Sequence, residues 1–255
     1  MFETDPPLRS YKDIFNKRAD AYHQAMLNWP EARNEEFLAA LKGLKMTPGM
    51  QVVDIPSGGG YLAHYLPDDV QLTHLETSEL FRELGYSGSR FPLHLCSIDA
   101  LPLENASTDI AISLAGLHHT EDKKPLFSEL FRILRKGGTC MLADAGEDSP
   151  TAQFLDGWLS DHNSMGHEGW YFNRATEQSL RDAGFVDVRR ETRRYHWIYS
   201  DEAEAGKYCK LMFGVDLATA QEVTQALKSH LGFETLSDGQ TGLCWELDFI
   251  TATKP

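Results

Sequence analysis

The chain has 255 residues, a length that suits a single α/β domain with additions. Its 38 acidic and 24 basic residues leave a net charge of −14, which makes RNA and DNA poor partners because phosphate backbones bind clustered Lys and Arg. We find no secretory signal and no apolar run of about 18 residues, so we expect a soluble cytoplasmic protein without a membrane span.

The first predicted elements are helical and lead into a buried strand. Residues 11–44 have helical character, with a break at Trp29-Pro30. Residues 50–55 are apolar and β-branched, and the turn pair Pro48-Gly49 precedes them. This order predicts an N-terminal helical segment followed by the first strand of a sheet.

A glycine-rich turn follows this strand. Asp54-Ile-Pro-Ser-Gly-Gly-Gly60 contains three glycines, which allow a tight turn and close approach to a ligand because they lack a Cβ. Residues 61–66 can open a helix whose free N–H groups face that ligand. Strand, turn and helix together are typical of the first unit of a nucleotide-binding α/β sheet.

The charge at this turn discriminates between two ligand classes. Gly58-x-Gly60-x-x-Ala63 matches the relaxed dinucleotide fingerprint. A dinucleotide, however, brings a doubly negative pyrophosphate that the Asp54 carboxylate would repel. The same carboxylate attracts the ammonium and sulfonium groups of S-adenosylmethionine, so Asp54 favours that methyl donor over NAD.

A second acidic residue marks the end of the next predicted strand. Residues 70–76 form this strand, which ends at Glu76, eighteen positions after Gly58. A carboxylate there can accept hydrogen bonds from both ribose hydroxyls. Glu76 also precedes a helix predicted at 78–84, whose positive end it would stabilise. The two roles are compatible, and the position of Glu76 favours the ribose contact.

Two histidines follow the strand predicted at 108–114. They lie in the loop Ala115-Gly-Leu-His-His119, on the side where an open α/β sheet places its ligand crevice. Because histidine exchanges protons near neutral pH, His118 or His119 can serve as a general base. Alternatively, the pair only shapes the loop.

Helices and strands continue to alternate towards the C terminus. The helix after Asp122 is expected to end at Gly137-Gly138. Between the last two strands, the segment 200–232 looks helical, and its Met212 and Phe213 either touch a substrate or pack in the core. The other predicted elements are a strand at 139–143, a helix at 176–183 stopped by Gly184, a strand beginning at 185–188 and a long last strand at 242–252.

The segment 161–171 mixes histidines, aromatic residues and glycines. We expect His162, His167, Trp170 and Tyr171 to line a substrate pocket, with an ordinary surface loop as the alternative. His162 and His167 with Glu168 match no strong metal-ligand template, so no metal site is predicted. The four cysteines are widely spaced in mostly apolar runs, which argues against a disulfide framework or a zinc site.

In this order the motifs resemble the class I S-adenosylmethionine-dependent methyltransferases, in particular the small-molecule type (methyltransferase type 11 domains) similar to the enzymes of ubiquinone and menaquinone biosynthesis. The resemblance covers about residues 11–184 and is strongest over residues 50–138. It is carried by the glycine motif, by the Asp in Ser97-Ile-Asp-Ala-Leu-Pro-Leu103, by the histidine loop and by the turn Leu134-Arg-Lys-Gly-Gly138.

The resemblance implies a Rossmann-like, seven-stranded, mostly parallel sheet with helices on both faces and an antiparallel last strand. It implies S-adenosylmethionine as cofactor and direct methyl transfer to a small-molecule acceptor. It places Asp99 at the adenine amino group, Ala100 at a backbone contact, and Tyr22 near the methionine end beneath a helical lid, although Tyr22 can also be a plain packing residue. The expected donor-binding residues are Tyr22, Asp54, Pro56, Ser57, Gly58, Gly60, Glu76, Thr77, Asp99, Ala100 and Leu114.

The same resemblance implies one domain over residues 1–255. Residues 1–45 would form the lid, residues 46–199 and 237–255 the core, and residues 200–236 an insertion that shapes the substrate site. One departure from the family pattern is Pro56, which replaces the first glycine of the motif and donates no hydrogen bond. It keeps open a non-catalytic S-adenosylmethionine-binding module. An NAD(P)-binding oxidoreductase is the other alternative, disfavoured by Asp54 and by the expected terminal hairpin.

Overall fold

An eight-stranded mixed sheet forms the centre of the computed structural model, which describes residues 10–84, 91 and 93–255. Residues 1–9 of the predicted lid therefore lie outside the described part of the chain. The strands are β1 (Gln51–Asp54), β2 (Gln71–Glu76), β3 (Leu93–Leu95), β4 (Thr108–Leu114), β5 (Leu134–Asp144), β6 (Val186–Tyr199), β7 (Phe233–Thr235) and β8 (Thr241–Thr253).

The strand order is β3-β2-β1-β4-β5-β8-β6, and β7 pairs with β8. Neighbours from β3 to β5 run parallel, whereas β8 is antiparallel to both β5 and β6. The predicted Rossmann-like sheet with an antiparallel last strand is confirmed. Its eighth member, β7, is a three-residue strand paired with the start of β8. Like β3, it is too short to show a strand pattern in the sequence.

Helices cover both faces of the sheet. Apolar residues of α4 and α6 pack on one face, and those of α2, α7 and α8 pack on the other. The N-terminal helix α1 contacts α3 and α7. None of the described helices is both long enough and apolar enough to cross a bilayer. The helices are α1 (Tyr11–Asn28), α2 (Asn34–Leu41), α3 (Glu79–Leu84), α4 (Lys124–Ile133), α5 (Pro150–Phe154), α6 (Arg174–Asp182), α7 (Glu202–Phe213) and α8 (Ala220–His230).

Two local predictions are wrong. Residues 61–66 do not open an α-helix, because Tyr61–Tyr65 forms a short 3-10 turn after Gly60. Gly137-Gly138 does not close α4, because Leu134 has already turned to an extended conformation (φ −65°, ψ 143°). Both glycines instead lie in β5, where its pairing with β4 is irregular.

The ends of four parallel strands bring polar residues to one edge of the sheet. Asp54, Glu76, Leu114 and Asp144 are the last residues of β1, β2, β4 and β5, respectively. Parallel strands present their carboxyl ends on the same edge, and the strand order reverses between β1 and β4, where such sheets bind ligands. The fold therefore predicts the functional site at this edge.

Candidate functional site

The glycine turn after β1 adopts a conformation that requires glycine. Gly58 has φ +54° and Gly60 has φ +76°, both in the left-handed region that glycine occupies without steric cost. The N–H of Ser57 donates to the carbonyl of Leu75 at 2.9 Å, which ties the turn to β2. The turn is thus joined to the sheet edge by a backbone hydrogen bond.

Pro56 packs against the loop that follows β4. The Ile55–Pro56 peptide bond is cis. A Cβ placed on Gly116 would lie only 2.7 Å from Cγ of Pro56, closer than real Cβ contacts come. The proline that replaces the first family glycine is therefore accommodated by a glycine on the neighbouring loop.

Beside this turn lies a small cavity lined by α1, β1, β4 and the turn itself; we call it the glycine-loop cavity. It measures about 40 Å³, well below the ~300–1,000 Å³ common for ligand pockets. Aromatic side chains of α1 form one wall. Its lining includes the predicted residues Tyr22, Asp54, Pro56, Ser57, Gly58 and Leu114, together with Tyr11, Phe15 and Phe81.

Asp54 is buried at the carboxyl end of β1. Its Oδ2 is 3.4 Å from Nδ1 of His74 on β2. Burial raises the pKa of Asp54, and the neighbouring His74 opposes that rise. A buried carboxylate with a histidine as its neighbour retains capacity for a cationic ligand on its cavity side.

Glu76 accepts hydrogen bonds from four groups around it. Three are backbone N–H groups, those of Gly58 at 2.6 Å, Thr77 at 2.7 Å and Ser78 at 2.8 Å. The fourth is the hydroxyl of Tyr11 on α1, at 3.3 Å. Burial raises the pKa of Glu76 to about 7, against the lowering effect of these donors. Two of the N–H donors lie just before α3, so Glu76 also stabilises the region where that helix begins.

Like Glu76, four other predicted donor residues do not line the glycine-loop cavity. Gly60 and Thr77 flank it, and Thr77 is buried beside Glu76. Asp99 and Ala100 are exposed in the turn after β3 and do not line the cavity. The N–H of Cys96 nevertheless donates to the carbonyl of Glu76 at 2.8 Å, so this turn adjoins the same edge of the sheet.

A second cavity, of about 70 Å³, adjoins the first; we call it the histidine cavity. Phe15, Tyr22, Arg33 and Ala115 line both cavities. The side chains that define the histidine cavity are Phe15, Arg18, His118, His119, Asp144, His167, Trp197, Met212, Phe213 and Trp245. Both Met212 and Phe213, left open by the sequence, therefore reach this cavity.

The histidine pair after β4 is held by the end of β5. Nδ1 of His118 lies 2.7 Å from Oδ1 of Asp144, and Oδ2 of Asp144 accepts the His118 N–H at 2.9 Å. Burial would raise the pKa of Asp144, but His118 holds it below its ordinary value. Burial, followed by His118, His167 and Arg18, lowers the pKa of His119 well below its ordinary value. These neighbours therefore favour the neutral form of His119.

Only part of the predicted substrate segment reaches the histidine cavity. His167 lines it, and Tyr171 lies beside it with its ring centroid 6.1 Å from that of His118. His162 stacks on Trp158 at 4.1 Å and lies outside. The side chain of Trp170 lines an outer groove instead, while its N–H donates to the His118 carbonyl at 2.8 Å.

Two charged groups at this cavity were not predicted. The Nη2 of Arg18 donates to the Met212 carbonyl at 2.9 Å, whereas its buried Nε has no hydrogen-bond partner among the described residues. Burial lowers the pKa of Arg18 to about 10. Arg33, in contrast, is compensated by Glu36, a fully buried carboxylate that it contacts directly.

Other residues that line the histidine cavity were also not identified from the sequence. Asp144 carries a detectable signal, since it is an acidic residue ending an apolar strand on the crevice side. Trp197 and Trp245, stacked at 4.2 Å, come from β6 and β8. Their contribution depends on how β8 inserts into the sheet, and no local pattern in the sequence shows that.

Comparison with known proteins places this geometry in context. Residues 53–142 match the family described as a methyltransferase domain. Phosphoethanolamine N-methyltransferase 1 of Arabidopsis thaliana is 29% identical over 161 residues, 59% of this chain and 31% of that protein. An O-methyltransferase of Pyrenophora dematioidea is 27% identical over 172 residues, 61% of this chain and 63% of that protein. The chain thus spans less than two thirds of the length of either relative.

The structural comparison agrees in fold. The structure of Haemonchus contortus phosphoethanolamine N-methyltransferase 2, in complex with phosphomonomethylethanolamine and S-adenosylhomocysteine, matches with a TM-score of 0.64 at 19% identity. The match covers 98% of this chain and 61% of that one. None of these similarities supports the oxidoreductase alternative. The family match across β1 to β5 thus identifies a methyltransferase domain in this chain, and the sheet order with its antiparallel β8 is the fold of the class I S-adenosylmethionine-dependent methyltransferases that it resembles.

Proposed function

We propose that this chain binds S-adenosylmethionine in the glycine-loop cavity and transfers its methyl group to a small acceptor in the histidine cavity. The observation that carries the proposal is that the two cavities meet. Phe15, Tyr22, Arg33 and Ala115 line both of them. A donor in one and an acceptor in the other would therefore lie in contact, as direct displacement requires.

In this proposal the residues at the ends of β1 and β2 hold the donor. Asp54 faces the positively charged methionine portion, and Gly58 with Gly60 allows close backbone approach. Glu76 accepts the ribose hydroxyls. Ser57, Thr77 and Leu114 complete the wall, while Asp99 and Ala100 would contact adenine from the adjoining turn. Pro56 shapes the turn through its contact with Gly116.

Helix α1 acts as the lid over this donor site. The aromatic side chains of Tyr11 and Phe15 line this cavity of about 40 Å³, which is small for a ligand the size of the donor, so we expect α1 to move when the donor enters. The Tyr11 hydroxyl lies on the Glu76 carboxylate, where we place the ribose hydroxyls. Tyr22 lies where the cavities meet and would close over the methionine end. Opening of α1 thus precedes donor binding, and closure excludes water.

The proposed reaction needs little covalent chemistry from the protein. A lone pair on the acceptor attacks the methyl carbon, the carbon–sulfur bond breaks, and its electron pair remains on sulfur to give S-adenosylhomocysteine. An acceptor hydroxyl must also lose its proton. The histidine cluster lies on the acceptor side and is assigned this task, while the two cavities align the reacting atoms.

The lining of the histidine cavity suggests the kind of acceptor. Trp197, Phe213 and Trp245 form an aromatic wall, and Arg18 adds a cation without a carboxylate partner among the described residues. We propose a small, partly apolar acceptor with an acidic or electron-rich group facing Arg18. The relatives named above include both N- and O-methyltransferases, so the attacking atom is not assigned.

Calorimetric titration tests the donor assignment. S-adenosylmethionine should bind with one site per chain, and NAD should not bind. Asp54→Asn should weaken binding at least tenfold, because it removes the charge opposite the sulfonium and ammonium groups. Asp69→Asn, in the loop before β2, is the matched control and should leave the affinity unchanged. Binding of NAD in place of S-adenosylmethionine would contradict the proposal.

Turnover distinguishes an enzyme from a binding module. The protein should transfer label from methyl-labelled S-adenosylmethionine to a compound in a metabolite extract, with stoichiometric formation of S-adenosylhomocysteine. Isolation of the labelled compound identifies the acceptor. Tight donor binding without transfer to any component of several extracts would instead favour the non-catalytic alternative.

A further inference from the structure

Three histidines converge at the wall of the histidine cavity. His118 and His119 follow β4, and His167 comes from the loop after α5, 48 positions beyond His119. Each offers a ring nitrogen, and these three atoms lie within 4.8 Å of one another. The ring centroids of His118 and His119 are 5.5 and 5.4 Å from that of His167. Three buried imidazoles this close together offer the nitrogen ligands that transition-metal ions bind in proteins.

Two of the histidines are oriented by carboxylates behind them. Nδ1 of His118 lies 2.7 Å from Asp144, and Nδ1 of His167 lies 2.8 Å from Asp156. A carboxylate accepts the proton of Nδ1, which leaves the lone pair on Nε2 of the same ring. Metal-binding histidines are typically fixed in this way, with the second ring nitrogen donating to a carboxylate.

The carboxylates are themselves held in place. Asp156 also accepts the Tyr171 hydroxyl at 2.6 Å and the Gly169 N–H at 3.0 Å. Asp144 also accepts the N–H of Ala145 at 2.8 Å. Two independent His–carboxylate pairs therefore belong to one cluster of three histidines. A single general base would need only one such pair, so that role explains His118 with Asp144 but leaves His167 with Asp156 without a purpose.

The positive charge of the nearby Arg18 affects which ligands can bind beside the three histidines. Arg18 lies close enough to lower the proton affinity of His119 and His167, and it would also repel a cation. Asp144 and Asp156 together balance a divalent ion bound by neutral imidazoles. Arg18 then remains as the uncompensated cation, which favours an anionic oxygen as the fourth ligand, between the metal and the guanidinium.

We propose that His118, His119 and His167 bind one divalent transition-metal ion, of the class that prefers imidazole ligands, with an open position facing the acceptor. Three protein ligands and one open position are the arrangement of catalytic rather than structural zinc sites. In a tetrahedral site with Zn–N bonds of ~2.0–2.1 Å the nitrogens lie about 3.4 Å apart, so the rings need to close by less than ~1.5 Å.

The role of the metal, unlike its binding, rests on the proposed methyltransferase function. An acceptor hydroxyl or acid bound at the open position would release its proton to solvent and bind as the anion. Its lone pair would then attack the methyl carbon, with the sulfur as leaving group. The histidine cluster would then carry out the deprotonation assigned to it above through the ion that it holds.

Metal titration of the full chain tests this inference without an acceptor. Chelator-treated protein should bind one equivalent of Zn²⁺, and Co²⁺ should give visible bands of a four-coordinate nitrogen site. His167→Asn should weaken Zn²⁺ binding at least 100-fold, and Asp156→Asn should weaken it about 10–100-fold. His162→Asn, a histidine of the same segment that lies outside the cavity, should leave the affinity unchanged.

Donor titration in parallel separates the two proposals. Each variant should still bind S-adenosylmethionine, which shows that it is folded and that a lost metal site is not a lost fold. Substoichiometric Zn²⁺ binding, or equal affinity in the wild type and His167→Asn, would overturn the metal site while leaving the proposed function intact. One-to-one Zn²⁺ binding without S-adenosylmethionine binding would do the reverse.

Discussion

At the scale of single residues, Arg18 stands out as a charge that no described residue neutralises. Its Nε is buried without a partner among the described residues, whereas the neighbouring Arg33 is paired with Glu36. A buried charge left unpaired is costly, so its retention at a cavity wall indicates that a ligand supplies the partner. In the proposed function this ligand is the acceptor.

Arg18→Met should therefore damage acceptor binding selectively. Loss of a buried cation that pairs with a ligand typically costs about 2–5 kcal/mol, so kcat/KM for the acceptor should fall about 30-fold or more. The Kd for S-adenosylmethionine should change less than about twofold, since Arg18 does not line the glycine-loop cavity. Arg82→Met on α3 is the control. An unchanged kcat/KM would remove Arg18 from the acceptor site.

Glu76 predicts a pH dependence of donor binding. Its pKa is raised to about 7 by burial, so at pH 6 only about one tenth of the free protein carries the ionised group that accepts ribose hydroxyls. The Kd for S-adenosylmethionine should rise about tenfold between pH 8 and pH 6. Glu76→Gln should bind more weakly and without this pH dependence, while Glu79→Gln should behave like the wild type.

The stability of the ligand-free protein should change in the opposite direction. Because the folded-state pKa of Glu76 lies above its unfolded value of 4.5, the folded state holds the extra proton between about pH 4.5 and 7. The contribution of Glu76 to the free energy of unfolding should thus decrease by about 3 kcal/mol as pH rises through this window. Chemical denaturation of wild type and Glu76→Gln at several pH values isolates this contribution.

At the scale of elements, the loops after β1 and β4 act as a pair. These strands are parallel neighbours, and Pro56 on one loop packs against Gly116 on the other. Pro56, which is unusual for the family, packs where Gly116 has no side chain. The two loops line the glycine-loop cavity together.

A double-mutant cycle tests this pairing. Gly116→Ala should weaken S-adenosylmethionine binding about tenfold, because its Cβ would meet Cγ of Pro56 at 2.7 Å and displace the turn. In a Pro56→Ala background the same change should cost much less, because the proline ring is gone. The coupling between contacting residues is commonly about 0.5–3 kcal/mol. Strictly additive effects in calorimetry would show that the loops do not act together.

The docking of α1 over β2 gives a second prediction at this scale. The Tyr11 hydroxyl lies 3.3 Å from Glu76, where the proposed donor needs the same carboxylate. Tyr11→Phe removes a hydrogen bond that must break on binding, so the affinity for S-adenosylmethionine should stay equal or rise by up to about tenfold. Tyr65→Phe, whose hydroxyl contacts Asn34, is the control. A clear loss of affinity in Tyr11→Phe would make Tyr11 a donor contact.

At the scale of the whole molecule, the charge distribution opposes nucleic acid. The net charge is −14, and Arg190, Arg193 and Arg194 of the one basic cluster in the sequence form ion pairs with carboxylates on β6, β8 or α6. We therefore expect no gel retardation of RNA or DNA at physiological salt, with any Kd weaker than about 10⁻⁴ M. Retardation at micromolar protein would point to a macromolecular acceptor and against a small molecule.

Much of the proposed donor site could be read from the sequence because it is built from local signals. The strand ending in Asp54, the glycine turn and the strand ending in Glu76 each lie within a few residues, and strand ends share an edge in any parallel sheet. The elements that the sequence did not predict correctly also have local explanations. Gly137-Gly138 resembles a helix end, but Leu134 had already left the helix, and a three-residue strand such as β3 carries no pattern.

The acceptor side was decided by the tertiary structure. The sequence alone determined the acidic and glycine residues near the strand ends and the type of ligand that these residues favour. Bringing Arg18 of α1 to Met212 of α7, and His118 to His167 and Asp144, required helices and loops to pack around the finished sheet. Such contacts between distant segments depend on the shape and burial of the whole core, which residue patterns of a few positions do not encode.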